Sequence, residues 1–210
     1  MSPSEPRPLI IGPDSGPEPP YPLRMQGEVV SGFGRGSKEL GIPTANIPVT
    51  NVPWIDSAPS GVYFGYAALN LPSSHPALLS SPLPTTSTST STPQTTPQDS
   101  SSNSPSPSSI NTRLYPMVMS IGYNPFYRNT VRSAEVHLLS HFTQDFYGSH
   151  MRVEILGYIR PELDYVDKES LVRDIEMDIE VARRSLEREH WRAGREGGDA
   201  WLLGKEGESK

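Results

Sequence analysis

Between residues 32 and 46 the chain reads GFGRGSKELGIPTAN, with glycines at 32, 34, 36 and 41. Glycines leave backbone N–H groups bare, so main-chain amides in such a run can approach phosphate oxygens, and Arg35 and Lys38 add positive charge. Neither familiar phosphate fingerprint fits. A P-loop needs Lys after its last glycine, and Gly36 is followed by Ser37; a dinucleotide loop needs glycine three places after Gly34, and Ser37 stands there. On glycine spacing alone a flexible turn is an equal reading. Pro43 then stiffens the approach to Thr44 and Asn46, which stand at i and i+2 and share one face of an extended strand. A hydroxyl and an amide carbonyl are hard neutral donors, suited to Mg²⁺ that keeps waters and takes its other ligands from nucleotide phosphates. An Asx or Thr turn is the commoner origin of such a pair.

A second segment, NTVRSAEVHLL (129–139), places Glu135 and His137 on one face of a strand whose other face carries Ala134, Val136 and Leu138. Solvated surface is the usual fate of such a carboxylate. If that face lines a pocket beside the Gly-rich loop, Glu135 becomes a candidate base for an alcohol proton. Its weak basicity matters little in phosphoryl transfer, where alignment and charge neutralisation do most of the work. His137 reads as a hydrogen-bonding neighbour or an exposed residue and is assigned no catalytic role.

These segments must be positioned by a small fold, because much of the 210-residue chain is poor in core formers. It has 23 Pro and 17 Gly, and AVILMFWYC make up 34%. Residues 72–109 comprise 14 Ser, 7 Thr and 8 Pro with one formal charge, Asp99, and are expected to be a disordered insert. The flanks, GVYFGYAALN (61–70) and LYPMVMSIGY (114–123), both read as strands, so the insert closes a hairpin rather than linking domains. Lengthening that loop from about 5 to about 38 residues costs only about 2 kcal/mol. Residues 1–21, with seven prolines, are expected to be disordered and 194–210 to form a flexible tail, leaving one domain over 22–193.

Within that domain Met25/Gly27/Val29, Val62/Phe64/Tyr66/Ala68, Met117/Met119/Ile121, Ala134/Val136/Leu138 and Met151/Val153/Ile155 alternate against more polar neighbours. With an extended piece over Asn46 to Val49 they predict about six strands and a closed antiparallel barrel. Leu171, Ile175, Ile179, Ala182 and Leu186 form one apolar helical stripe, with Asp167 as N-cap and Arg183, Arg184 and Arg188 at the C-terminal end. The formal charge of −6 lacks basic clusters, which speaks against a nucleic-acid partner. No apolar run approaches the eighteen residues of a membrane span, and no secretion signal is read at the start. With zero cysteines, disulfides, thiolate metal sites and a cysteine nucleophile are excluded. The expected location is cytoplasmic, with mitochondrial association left open, and the expected state a monomer.

The ordered blocks GEVVSGFGRGSKELGIPTAN, GVYFGYA, MVMSIGYNPFYRNTVRSAEVHLL, DFYG and GYIRPE, with a trailing acidic helix, resemble the eukaryotic monofunctional riboflavin kinases (flavokinases) over roughly residues 24–186, the insert excepted. The resemblance implies a mainly β fold: a six-stranded antiparallel Greek-key barrel with a C-terminal α-helix. It implies conversion of riboflavin and ATP to FMN and ADP with a divalent metal, usually Mg²⁺ and sometimes Zn²⁺. The family's metal-binding Thr and Asn fall on Thr44 and Asn46. Its essential carboxylate falls on Glu135, accepting the proton of the ribityl 5′-hydroxyl. Gly32, Gly34 and Lys38 would hold phosphates, Tyr147 would contact the nucleotide, and Arg160 would lie on a loop closing over the flavin. Tyr165 is an aromatic stacking candidate, and Leu163 stands where the family often carries a basic residue.

Two other classes compete with the kinase reading. A noncatalytic flavin- or nucleotide-binding barrel would be expected to lose Thr44, Asn46 or Glu135, and all three are present. A barrel for single-stranded nucleic acid would need clustered basic residues among aromatics, whereas Arg24 to Asp56 holds three basic and three acidic residues. A second, adenylylating activity has no room in one small domain.

Overall fold

A computed structural model describes residues 7–31, 41–72, 75, 110–123, 131–142, 144–195 and 199–204. Six strands and one helix follow in the order β1 (Leu23–Glu28), β2 (Ala45–Asn46), β3 (Gly61–Pro72), β4 (Ile110–Tyr123), β5 (Arg132–Leu138), β6 (His150–Pro161) and α1 (Lys168–Leu186). They form one antiparallel sheet in the order β1-β6-β3-β4-β5-β2. The β3-β4-β5 meander with β6 returning beside β3 is a Greek key. Among the described residues the two edges meet at a single bridge, Val30 to Asn46, so the barrel is fastened there rather than closed by a continuous ladder. The extended piece expected over Asn46 to Val49 is shorter and starts one residue earlier.

Tyr63, Leu69, Tyr115, Met117, Val153 and Ile155 fill the interior. The alternate positions of the same strands are covered as well: Phe64, Tyr66, Val118 and Leu156 pack under Ala182 and Leu186 of α1, with Trp191 and Leu202 completing the layer. Strand β3 is therefore buried on both faces, and the Val62/Phe64/Tyr66/Ala68 set lies on the outer one. Where β6 crosses, a register shift between Phe64 and Gly65 brings backbone against backbone. A Cβ on Gly65 would stand 2.0 Å from the Glu154 carbonyl oxygen, so only glycine fits.

Asp167 caps α1 as expected, its carboxylate accepting from the Ser170 amide at 2.6 Å. The inner face of the helix also buries Asp178 and Ser185. Both polar residues bind segments outside the helix, which explains why an apolar stripe alone missed them.

Residues 7–21, expected to be disordered, instead run along the helix. The Ile11 amide donates to Ser185 Oγ at 3.0 Å, Trp191 Nε1 donates to the Pro13 carbonyl at 2.8 Å, and Arg188 Nη1 donates to the Gly12 carbonyl at 2.9 Å. Gly12 has φ +77, and a Cβ there would meet the Trp191 ring at 2.5 Å. The described part of the expected tail, residues 194–195 and 199–204, is corrected likewise. Arg195 pairs with the fully buried Glu154, which Arg24 also holds at 3.0 Å, and Leu202 is buried beside Trp191. Long-range anchors, which local composition does not report, hold residues 7–21, 194–195 and 199–204; the expectations for 1–6, 196–198 and 205–210 lie outside the described residues. Pro72, assigned to the insert, is the last residue of β3 and pairs with Ile110. Of the remaining insert, His75 is described, and the other positions lie outside the described residues. No helix among the described residues is long and apolar enough to cross a membrane.

Candidate active site

Strand β5 turns Arg132, Ala134, Val136 and Leu138 inward and Ser133, Glu135 and His137 outward, as its alternating burial shows. Its edge partner β2 is two residues long, with Ala45 opposite Val136 and Asn46 directly opposite Glu135. Opposed side chains on adjacent strands lie about 5 Å apart on one face, so Asn46 and Glu135 are neighbours. One alternation earlier, Thr44 Oγ1 donates to Glu135 Oε2 at 3.4 Å. Thr44 and Asn46, which stand 91 and 89 residues before Glu135 in the chain, thus converge with it on the outer face of the barrel wall. Asn46 is buried, and Thr44 and Glu135 are half-buried. The interior is filled by side chains and leaves the chemistry outside.

The donors there are a hydroxyl, an amide and one carboxylate. Among the described residues no group of three His, Asp or Glu could hold a metal by itself. A hard divalent cation that takes part of its shell from phosphate oxygens fits this donor set.

Two neighbours tighten the site. His137 Nδ1 donates to the Pro43 carbonyl at 2.8 Å. Burial lowers the His137 pKa, the bond to Pro43 works against that, and the charge of Arg183 on α1 adds to it. Glu162, just after β6, rests its carboxylate against Gly122, where a Cβ would come within 2.0 Å of it. Burial raises the Glu162 pKa, the Glu135 charge adds to the rise, and Arg132 and Arg160 oppose it. Sequence reading assigned Glu162 no role, although it closes the quoted GYIRPE block.

Tyr147 is exposed on the turn before β6. That turn is tied to the end of β1: the Gly148 amide donates to the Val29 carbonyl and the Val29 amide to the Ser149 carbonyl, both at 2.9 Å. Tyr147 therefore stands beside the root of the Gly-rich segment. Gly32, Gly34 and Lys38 themselves lie outside the described residues.

Arg160, expected on a closing loop, is instead on β6 and buried. It holds Asp178 of α1 through Nε at 2.9 and 3.0 Å and Nη2 at 2.6 Å. Burial works against its charge, but the bonds and charge of Asp178 outweigh this and raise its pKa. Tyr165 follows in the connection to α1, its hydroxyl donating to Asp174 Oδ2 at 2.7 Å, and Arg7 pairs with the same oxygen at 2.6 Å.

A family model for riboflavin kinase (flavokinase) matches residues 19–186. The chain belongs to the riboflavin kinase family. It is 66% identical over 189 residues to a riboflavin kinase of Chaetomium globosum, covering 88% of this chain and 80% of that one. A riboflavin kinase of Pyricularia oryzae is 55% identical over 187 residues, covering 88% and 81%. The crystal structure of riboflavin kinase from Trypanosoma brucei has the same fold, with TM-score 0.59, 20% identity and coverage of 92% of this chain and 95% of that one. Membership of the riboflavin kinase family agrees with the barrel and C-terminal helix described above, and the matched span includes all three converging side chains.

Proposed function

We propose that this chain transfers the γ-phosphoryl group of ATP to the 5′-hydroxyl of riboflavin, giving FMN and ADP, with Glu135 as the group that receives the hydroxyl proton. Family membership supports the reaction, and the meeting of Thr44, Asn46 and Glu135 on one face supports the residue roles. Thr44 and Asn46 would hold a divalent cation, Mg²⁺ or in its place Zn²⁺. When bound, that cation supplies charge neutralisation at the phosphates.

Glu135 holds the ribityl 5′-hydroxyl in line with the γ-phosphorus. As the new O–P bond forms, the bond from the γ-phosphorus to the β–γ bridging oxygen breaks and ADP leaves with that electron pair. The 5′-hydroxyl proton passes to Glu135. Gly32, Gly34 and Lys38 hold nucleotide phosphates, and Tyr147 contacts the nucleotide from its turn. Tyr165 stands on the flavin side. Arg160 acts on that side through Asp178, by fixing the connection from β6 to α1. The working unit in this scheme is a monomer. Its placement in the cytoplasm rests on composition alone.

The test is direct: purified protein with riboflavin, ATP and Mg²⁺ forms FMN. Glu135→Gln keeps riboflavin binding while turnover falls by about 10²-fold to 10⁴-fold. Turnover retained in that variant removes Glu135 from its role.

A further inference from the structure

Strand β2 begins one residue after Thr44. Its ladder to β5 ends at Ala45, and the next position along the register would set Thr44 opposite His137. There the ladder gives way to a side-chain bond. His137 Nδ1 donates to the carbonyl of Pro43, the residue immediately before Thr44, at 2.8 Å. A carbonyl only accepts, so the proton of the neutral imidazole sits on Nδ1. Pro43 fixes its own φ, and a bond to its carbonyl orients the peptide plane that leads into Thr44. Thr44 Oγ1 reaches Glu135 Oε2 at 3.4 Å, so the spacing between these side chains depends on where that peptide is pinned.

We infer that His137 is a positioning residue for the cation site: its Nδ1–H bond to Pro43 holds Thr44 at metal-binding distance beside Glu135 and Asn46. The inference rests on the proposed role of Thr44 as a cation ligand. Residues that orient a metal ligand commonly contribute about 10-fold to 100-fold in metal affinity.

Two amides separate this role from general packing. In Asn the amide nitrogen falls near the place of imidazole Nδ1; in Gln it falls near Nε2. Mn²⁺ serves as the probe, with binding to the folded, ADP-containing protein followed by the electron paramagnetic resonance of free Mn²⁺. Hydrogen exchange of the metal-free protein is read at the Val30 and Ile47 amides, which donate to Asn46 and Ala134. His137→Gln is expected to weaken Mn²⁺ by about 10-fold or more and to speed exchange at both amides, with riboflavin KM unchanged. His137→Asn is expected to return both readouts to near the parent values. Equal behaviour of the two variants overturns the inference, since loss of packing treats them alike. Parent-like Mn²⁺ binding in His137→Gln while Thr44→Ala weakens it overturns the inference alone. Thr44→Ala with parent-like Mn²⁺ binding overturns the role of Thr44 and the inference with it.

Discussion

Arg160 and Asp178 form a buried pair joined by three contacts of 2.6 to 3.0 Å, and they tie the end of β6 to the middle of α1. Taking away one partner leaves an uncompensated charge in a dry place. Asp178→Ala is expected to cost about 3–5 kcal/mol. The double variant Arg160→Met/Asp178→Leu should recover most of that loss. Urea unfolding of the three proteins checks this, and additive losses in the double variant would show that the two residues do not act as a pair.

Gly12 combines φ +77 with a site for Cβ that the Trp191 ring occupies. Gly12→Ala meets backbone strain and a steric clash together and is expected to destabilise by about 2–4 kcal/mol. A change near zero would mean that residues 7–21 do not hold to the helix in solution. Protection of this segment from limited proteolysis is the companion measurement.

Burial holds His137 and His150 below the ordinary histidine value of 6.5, with the Arg152 charge adding to the effect at His150. As pH falls through 6.5 the unfolded chain takes up protons before the folded one does. Stability is thus complete above that value and declines below it. Glu162, raised mainly by burial, works in the opposite sense as it becomes protonated. Comparing the parent with His150→Gln isolates one histidine: the variant should lose less stability between pH 7.5 and pH 5.5. Parallel curves for the two proteins would remove His150 from the account.

Strands β3 and β4 stay paired out to Pro72 and Ile110. Replacing residues 74–108 with a short Asn-Gly turn is expected to keep FMN formation and to change stability by at most about 2 kcal/mol, in the favourable direction. A shortened protein that folds but has lost turnover would give the insert a part in the reaction.

The barrel was legible because a period-two set marks the interior of β1, β4, β5 and β6 and the outer face of β3, and GIPTAN and SAEVH stood out because polar side chains share one strand face. The outer layer was not legible. Phe64 reads as part of the one buried face of its strand, but it lies in an outer layer that Trp191 and Leu202, far along the chain, cover, and the opposite face of β3 is buried as well. The proline-rich start looked unable to fold because composition reports local burial, whereas its anchors are Ser185, Arg188 and Trp191. The resemblance sets Arg160 on a loop closing over the flavin, and its pairing left no local signal because Asp178 lies eighteen positions away on a helix face expected to be apolar. The pairing of Asn46 with Glu135 had no periodic signature, since a strand of two residues has no period.

The Val30–Asn46 bridge, the one link between the two sheet edges among the described residues, gives the molecule a seam, and the proposed cation ligands lie along it. A seam fastened this sparsely can part while the wall of β3, β4 and β6 stays intact. Catalytic competence will therefore fade on warming before the whole barrel melts, and a bound nucleotide with its cation will act as a clasp, protecting activity more than it raises the melting temperature.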